Sequence, residues 1–196
     1  MQVPFLVATA DGSNTLFQPE VGEHYHSKHG ALQESKHVFL ESGLGYFLVQ
    51  NPQSFVRILE VGLGTGLNFL LTADYAAKKS LQLDYTAIEA YPLSETLLAQ
   101  TGYDQFVEAA IWEGFLAKYK ATFTTPTAIC PGINLSVVKS LLANFEMQGQ
   151  VDVIYFDAFA AIHQPEMWTD EALARVCKYL KPSGVFVTYA ITGNLK

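Results

Sequence analysis

A buried-type strand that runs directly into a glycine-rich turn constrains the fold of this chain more than any other feature. Residues 57–61 read Arg-Ile-Leu-Glu-Val, and Gly62, Gly64 and Gly66 follow before an apolar segment that starts at Leu67. Glycine allows positive φ and a close approach of the backbone to a ligand, and the first N–H groups of a following helix are free to face polar groups. The pattern predicts a nucleotide-like cofactor at this turn.

The spacing of the glycines separates two cofactor classes. A dinucleotide fingerprint needs glycine or alanine where this chain has Leu67, so a nicotinamide or flavin is disfavoured. Glu89 ends a second predicted strand, residues 83–90, at roughly the 20-residue distance expected of a ribose-binding carboxylate. An isolated Glu at a strand end is more often only solvated. Together with the glycine turn, Glu89 is interpreted as a ligand of the ribose hydroxyls.

Composition indicates one globular, enzyme-like domain. The chain has 196 residues, of which 49% are hydrophobic and 16% charged, which excludes a disordered chain. The net charge of −7 argues against a protein that coats nucleic acid, although it permits a local basic surface beside the site. Cys130 and Cys177 are predicted to be small buried hydrophobes, and no Cys/His spacing predicts a metal site. Because neither a signal peptide nor a membrane span is apparent, we expect a cytoplasmic protein.

Strands and helices alternate from residue 55 onward, which predicts a parallel α/β sheet with helices on both faces. Residues 1–54 are predicted to be an N-terminal extension, with a turn at residues 11–14, and residues 55–196 the cofactor-binding core. The predicted strands are residues 57–61, 83–90, 133–138, 151–156 and 185–190. The predicted helices are residues 34–50, 66–79, 106–119, 139–147 and 170–180, with a further helix opened by Pro92 and Ser94. Residues 122–131 are predicted to be a loop and residues 181–184 a turn, whereas Trp112 and Phe115 are expected in the core.

Asp157 ends the strand 151–156, which places a second carboxylate at the ligand-binding edge of the sheet. In an open parallel sheet, ligands lie outside the carboxyl ends of the strands, where the strand order reverses. We therefore expect Glu60, the glycine turn, Glu89 and Asp157 around one crevice. No acidic residue ends the strand 133–138, so the contacts of an adenine ring are not predicted.

An acidic residue followed by G-x-G-x-G resembles motif I of the class I S-adenosylmethionine methyltransferases. Three stretches narrow the resemblance to one family: Gly62-Leu63-Gly64-Thr65-Gly66-Leu67-Asn68-Phe69-Leu70, Asp157-Ala158-Phe159 with Gln164-Pro165-Glu166-Met167-Trp168-Thr169, and Tyr25-His26-Ser27 with Glu34-Ser35-Lys36-His37-Val38-Phe39-Leu40. They resemble the methyltransferase domain of the bacterial bifunctional enzymes that complete 5-methylaminomethyl-2-thiouridine at the tRNA wobble position.

The resemblance implies a role for several residues. S-adenosylmethionine is the implied cofactor. The residues implied to bind it are Glu60, Gly62, Gly64, Gly66, Asn68, Glu89 and Asp157. The implied reaction is an in-line attack of a neutral amine on the methyl carbon, in which alignment alone supplies roughly 7 to 11 kcal/mol. Asp157 is the candidate to orient the amine and take its proton; alternatively, it binds only the amino group of the cofactor or caps the loop.

The acceptor side is predicted from aromatic and basic residues. Tyr25 and Phe159 are candidates to stack on a splayed base of the tRNA anticodon loop, although either ring could equally belong to the core, and Lys28 is a candidate to contact the RNA. Lys28 belongs to a run of basic residues that is alternatively only a solvated surface: His24, His26, Lys28, His29, Lys36 and His37. Ala158 and Ala161 replace a Gly and a Pro that are common in the family, so the substrate loop is expected to differ.

Two further expectations follow from the resemblance. No oxidase half and no second glycine fingerprint follow residue 196, so a separate oxidase is expected to act upstream. A class I methyltransferase usually adds an antiparallel hairpin after its fifth strand, so the domain is expected to be truncated at its C-terminus and to have an unprotected sheet edge.

Two other functions remain open. One is methylation of a small-molecule or protein amine, which the acidic net charge would suit. The other is a cofactor-binding interaction protein without catalysis. The oligomeric state is not predicted.

Overall fold

The first part of the chain forms a small antiparallel sheet. The structure is a computed structural model that describes residues 3–190. Strands β1 (Phe5–Ala8), β2 (Asn14–Gln18) and β3 (Glu23–His24) pair in that order. The predicted turn joins β1 to β2, where the Asp11 carboxylate accepts hydrogen bonds from Ser13 N (3.0 Å) and from Gln33 N (2.9 Å).

A continuous helical segment follows over residues 31–50. It consists of α1 (Ala31–Glu34), π-helical turns over Ser35–Gly45, and α2 (Tyr46–Gln50). The predicted helix is thus confirmed, although it begins three residues before Glu34. A Cβ atom on Gly43 would lie 2.9 Å from Cε1 of Tyr155 in the central sheet. This glycine therefore lets the helix pack directly on the sheet, rather than weakening the helix.

Six strands form the central sheet. They are β4 (Phe55–Val61), β5 (Gln82–Ile88), β6 (Thr127–Cys130), β7 (Ile133–Val138), β8 (Val151–Phe156) and β9 (Leu180–Thr188), in the order β6-β7-β5-β4-β8-β9. All neighbours pair in parallel except β6, which is antiparallel to β7. The order reverses between β4 and β8, so a crevice is expected at their carboxyl ends.

Helices cover both faces of this sheet, as predicted. The remaining helices are α3 (Leu67–Lys78), α4 (Glu95–Ala99), α5 (Ala109–Lys118) and α6 (Asp170–Cys177). The larger core contains buried residues of α3, α5 and the 31–50 segment, whereas the smaller one lies beneath α6. Phe115 is fully buried and Trp112 packs against the larger core, as expected. Ser94 caps α4 by accepting a hydrogen bond from Leu97 N at 3.2 Å.

The middle of the chain differs from the prediction in two places. Residues 122–131 are not all loop, because Thr127–Cys130 form β6 on the sheet edge. Residues 139–147 do not form a helix; a single 3₁₀ turn spans Leu142–Asn144. The backbone is extended on both sides of this turn, so that Leu142 and Phe145 both reach the smaller core.

The C-terminal part also needs correction. Helix α6 ends at Cys177, and β9 begins at Leu180, so the predicted turn 181–184 lies within β9. The strand is irregular at these residues: its register against β8 shifts, and Ser183 has a positive φ of 68°. Strand β9 is an edge of the sheet in residues 3–190. The prediction for the cysteines was wrong, since Cys177 is exposed and Cys130 is only partly buried.

Candidate active site

The glycine loop between β4 and α3 passes directly beside the end of β8. The three predicted glycines have φ values of +89°, +51° and +79°. A Cβ atom on Gly62 would lie 2.5 Å from the carbonyl oxygen of Asp157, so only glycine permits this approach. Gly62 N donates to Ile88 O, and Asp157 N donates to Val61 O, both at 2.9 Å. These bonds fix the loop between the ends of β5 and β8.

Glu89 follows β5 and faces the same loop. Its Oε2 accepts a hydrogen bond from Gly64 N and its Oε1 from Tyr91 N, both at 2.9 Å. Burial raises the pKa of Glu89, and these backbone hydrogen bonds partly oppose that rise. Each carboxylate oxygen keeps a second lone pair. The half-buried carboxylate therefore has the free acceptors that a ribose diol would need.

Asp157, Asn68 and Glu60 form a hydrogen-bonded row behind the loop. Asn68 Nδ2 donates to Asp157 Oδ2 at 2.7 Å and to Glu60 Oε1 at 3.0 Å. Both N–H groups of the amide are thus used between two carboxyl groups. Glu60 is completely buried, whereas Asp157 is half-buried.

The environment of Asp157 favours its protonated form. Burial raises the pKa of Asp157 well above its usual range, and the negative charges of Glu34 and Glu23 raise it further. The hydrogen bond from Asn68 acts in the opposite direction. A carboxyl group with a raised pKa is a stronger base once it is ionised, which suits a proton acceptor near neutral pH.

A cavity of about 1190 Å³ opens at the carboxyl ends of the strands. It exceeds the roughly 300 to 1,000 Å³ of a typical small-molecule site, so it has room for a cofactor and part of a second molecule. Of the residues predicted to form the site, those that line it are Tyr25, Gly62, Gly64, Glu89, Asp157 and Phe159.

Four of the predicted site residues do not line this cavity. Glu60 and Asn68 lie behind its wall, where they contact Asp157 instead. A Cβ atom on Gly66 would lie 2.8 Å from Cζ of Phe115, which identifies Gly66 as a packing position at the start of α3. Lys28 is exposed outside the cavity. Any contact of these four with a ligand remains a prediction.

The N-terminal extension completes one wall of the cavity. The rings of Tyr25 and Phe159 pack edge to face, with centroids 5.1 Å apart. A Cβ atom on Gly64 would lie 2.8 Å from Tyr25 Cδ1, so Tyr25 closes directly on the glycine loop. Glu23 Oε2 accepts a hydrogen bond from Ala160 N at 3.0 Å, and Glu23 Oε1 lies 3.3 Å from the Tyr189 hydroxyl. These contacts attach the extension to the loop that follows Asp157.

His26 is not part of a solvated basic surface, which corrects the predicted run. It is 7% exposed, lines the cavity and lies 3.0 Å from Thr15 Oγ1 through Nδ1. Burial lowers the pKa of His26 to about 4, so the ring is neutral at pH 7. Burial and the charge of Lys28 also lower the pKa of His24.

A largely apolar wall was missed by the sequence analysis. It is lined by residues after β5 and β7, across β4 from Asp157: Leu93, Ser94, Leu97, Ser140, Leu141 and Leu142. A planar, mostly apolar ring would fit beside such a wall. The only signal in the sequence was their position after predicted strands, since no acidic residue marks the end of β7.

Comparison with known proteins indicates the class of enzyme to which this chain is similar. A family model described as S-adenosyl-L-methionine-dependent methyltransferase matches residues 108–196. A protein of Magnetococcus marinus named tRNA 5-methylaminomethyl-2-thiouridine biosynthesis bifunctional protein MnmC is 28% identical over 205 residues, which cover 97% of this chain and 30% of that protein. The protein of the same name from Leptospira interrogans is 34% identical, over 82% of this chain and 26% of its own length. The family match thus covers the C-terminal part of the chain. The chain is an S-adenosyl-L-methionine-dependent methyltransferase.

The fold of this methyltransferase matches a solved structure. A crystal structure of MNMC2 from Aquifex aeolicus superposes with a TM-score of 0.77 at 23% identity, and covers 97% of this chain and 61% of that chain. The agreement confirms the class I methyltransferase fold. The methyltransferase spans less than a third of the length of the MnmC relatives that it matches.

S-adenosylmethionine fits the cavity of this methyltransferase. The free lone pairs of Glu89 suit its ribose, and the apolar wall after β5 and β7 suits its adenine ring. None of the described helices is long and apolar enough to cross a membrane. Within residues 3–190, no cluster of three His, Cys, Asp or Glu side chains has the arrangement of a metal site.

Proposed function

We propose that the chain transfers a methyl group to the aminomethyl nitrogen of 5-aminomethyl-(2-thio)uridine at the tRNA wobble position. The relatives named above, whose printed names refer to 5-methylaminomethyl-2-thiouridine in tRNA, support this acceptor. The chain spans only part of those proteins, so the complete activity of the relatives is not attributed to this chain.

One observation within the chain carries the proposal: a carboxyl group and two aromatic rings share one cavity. Asp157, Tyr25 and Phe159 line the same space beside the glycine loop. Single-stranded RNA bases are commonly recognised by stacking on aromatic side chains. An amine on a splayed base would then reach the carboxyl group of Asp157.

Different residues of the chain have different roles in this reaction. When bound, S-adenosylmethionine supplies a methyl group on a positively charged sulfur. Glu89 binds the ribose through its free lone pairs, while Tyr25 and Phe159 position the base. Asp157 orients the amine nitrogen and accepts the proton that this nitrogen loses. No covalent bond to the protein is needed.

The domain roles and partners belong to the same proposal. Residues 1–54 form one wall of the acceptor site, and residues 55–196 bind the cofactor. A separate reaction, such as that of an oxidase acting upstream, must first expose the primary amine. The reaction takes place in the cytoplasm, where tRNA is modified.

Mass spectrometry of nucleosides tests the proposal directly. The protein is incubated with S-adenosylmethionine and with tRNA that carries 5-aminomethyl-2-thiouridine, and the nucleosides are then analysed. We expect one methyl group to be added to that nucleoside. The same tRNA with an unmodified wobble uridine is the matched control, and it should gain nothing.

Two other outcomes would replace the proposal. If the protein binds S-adenosylmethionine but methylates only small amines or protein amines, its acceptor belongs to that class instead of tRNA. Cofactor binding without transfer to any acceptor would indicate a non-catalytic binding protein.

A further inference from the structure

The Asn68 amide is the only side chain in residues 3–190 that donates hydrogen bonds to Asp157. Its two N–H groups contact Asp157 Oδ2 (2.7 Å) and Glu60 Oε1 (3.0 Å). These two hydrogen bonds together fix the orientation of the amide. If Glu60 were removed, Asn68 would lose one of its two anchors and could rotate about its side-chain bonds.

Glu60 itself does not reach the cavity. It is completely buried on β4, and its Oε2 has no hydrogen-bond partner within the described residues. No ion pair involving Glu60 occurs there either, and the charged groups that face it, Asp157 after β8 and Glu89 after β5, are both acidic. Two tyrosines also face it: Tyr85 from β5 and Tyr155 from β8.

These surroundings favour a neutral Glu60. An ionised carboxylate without a cation is very costly in a protein interior, whereas the protonated acid carries a donor of its own. The neighbouring Tyr85 hydroxyl is buried beside Glu60 and makes no hydrogen bond to any other described residue, so it can accept the proton on Oε2. Burial and the nearby charge of Asp157 both raise the pKa of Glu60 well above its usual range, which agrees with this assignment.

We infer that Glu60 is a positioning residue, which remains protonated and, by holding Asn68, directs Asp157 Oδ2 away from the acceptor while Oδ1 stays available. The inference rests on the proposed role of Asp157 as proton acceptor. Within the described residues, Oδ1 of Asp157 has no hydrogen-bond partner, as a proton acceptor requires. With Glu60 neutral, Asp157 is the only carboxyl group hydrogen-bonded to the Asn68 amide that gains and loses a proton during the reaction.

Two substitutions at position 60 separate the parts of this inference. Glu60→Gln is neutral, and its amide can accept from Asn68 and donate towards Tyr85, so it mimics the protonated acid. Glu60→Leu has a similar volume but no polar atom. Ile58→Val, at another buried position of β4, is the control for a small loss of packing.

Steady-state kinetics with the modified tRNA give the first readout. We expect Glu60→Gln to keep kcat and the acid limb of the pH profile. For Glu60→Leu, we expect kcat per bound cofactor to fall by about 10- to 100-fold, because Asp157 is misplaced. KM and cofactor affinity should change little, as in Ile58→Val. If Glu60→Leu lost kcat and cofactor affinity in parallel, Glu60 would have only a structural role. If the acid limb of Glu60→Gln moved to lower pH, Glu60 would be ionised in the wild type.

Infrared difference spectroscopy gives a second readout that needs no acceptor and no Leu variant. The spectrum of the wild type minus that of Glu60→Gln at pH 7 should contain the C=O band of a protonated carboxylic acid. A carboxylate band in its place would overturn the inference. Because this measurement needs only folded protein, it remains decisive even if the tRNA acceptor proves wrong.

Discussion

At the scale of single residues, the carboxyl group of Asp157 is the chemical centre of the site. It lines the cavity, contacts Asn68 and lies beside the backbone of Gly62. No basic side chain of the described residues forms an ion pair with it, so burial and the neighbouring acidic residues determine the direction of its pKa shift.

Substitution of Asp157 should affect turnover more than cofactor binding. For Asp157→Asn we expect kcat to fall by about 10²- to 10⁴-fold, the usual contribution of a positioned acid or base. The dissociation constant of S-adenosylmethionine, measured by calorimetry, should stay within a few fold. In the wild type, kcat should fall as pH decreases through the raised pKa of Asp157, because the protonated group cannot accept a proton. Equal losses of kcat and affinity in the variant would assign Asp157 to cofactor binding alone.

His26 should make the stability of the fold depend on pH. Its folded pKa of about 4 is lower than the ordinary 6.5, so the unfolded chain binds the additional proton first. The free energy of unfolding should therefore decrease by about 3 kcal/mol as pH falls from 6.5 to 4, and be unaffected by this group above pH 6.5.

The variant His26→Phe is the comparison for this effect. It removes the titrating imidazole but keeps Thr15 Oγ1, which also accepts a hydrogen bond from the buried backbone N–H of residue 26 at 3.1 Å. Urea unfolding at several pH values should show a weaker dependence below pH 6.5 in the variant. An unchanged dependence would place the titrating group elsewhere.

At the scale of elements, the loop after β8 depends on the N-terminal sheet. Glu23 on β3 accepts a hydrogen bond from Ala160 N and lies beside Tyr189, which itself donates to Ala158 O at 3.0 Å. One side chain thus connects two segments that flank Asp157 on the acceptor side.

Loss of this connection should weaken acceptor binding specifically. For Glu23→Ala we expect the KM for tRNA to rise roughly tenfold, since a hydrogen bond to a charged group contributes about 1.5 kcal/mol. Glu23→Gln keeps an oxygen that can accept from Ala160 N and should lie closer to the wild type. Cofactor affinity should not change in either variant. The idea fails if the KM of Glu23→Ala equals that of the wild type.

The elements themselves were predictable where the sequence pattern was local. Strand β8 is buried at every position, as expected of a central strand in a parallel sheet, whereas β5 and β7 alternate between buried and partly buried residues. Strand β6 lies on the edge within a segment rich in Thr and Pro, and its pairing is decided by β7 rather than by its own residues. The row from Glu60 through Asn68 to Asp157 was likewise beyond sequence reasoning, because it joins positions 89 residues apart.

At the scale of the whole molecule, the negative charge limits how RNA can be bound. With a net charge of −7, few phosphate contacts are available, so affinity should depend on salt only moderately. Lys28 is exposed near the N-terminal wall and is the predicted phosphate contact.

The salt dependence of tRNA binding tests Lys28. For Lys28→Ala we expect the slope of log Kobs against log salt concentration to decrease in magnitude by about 1, the effect of one lost phosphate contact. Lys178→Ala makes the same change in charge at a lysine paired with Glu146, and it should leave the slope unchanged. Equal slopes for Lys28→Ala and the wild type would leave Lys28 as a solvated surface residue.

The contact between Glu23 and Tyr189 joins residues 166 positions apart. Contacts between distant parts of a chain slow folding, because a large loop must close before they form. The hairpin of β1 and β2, in contrast, pairs residues that are close in sequence. The wall of the acceptor site between Glu23 and Tyr189 is therefore expected to assemble later during folding than this hairpin.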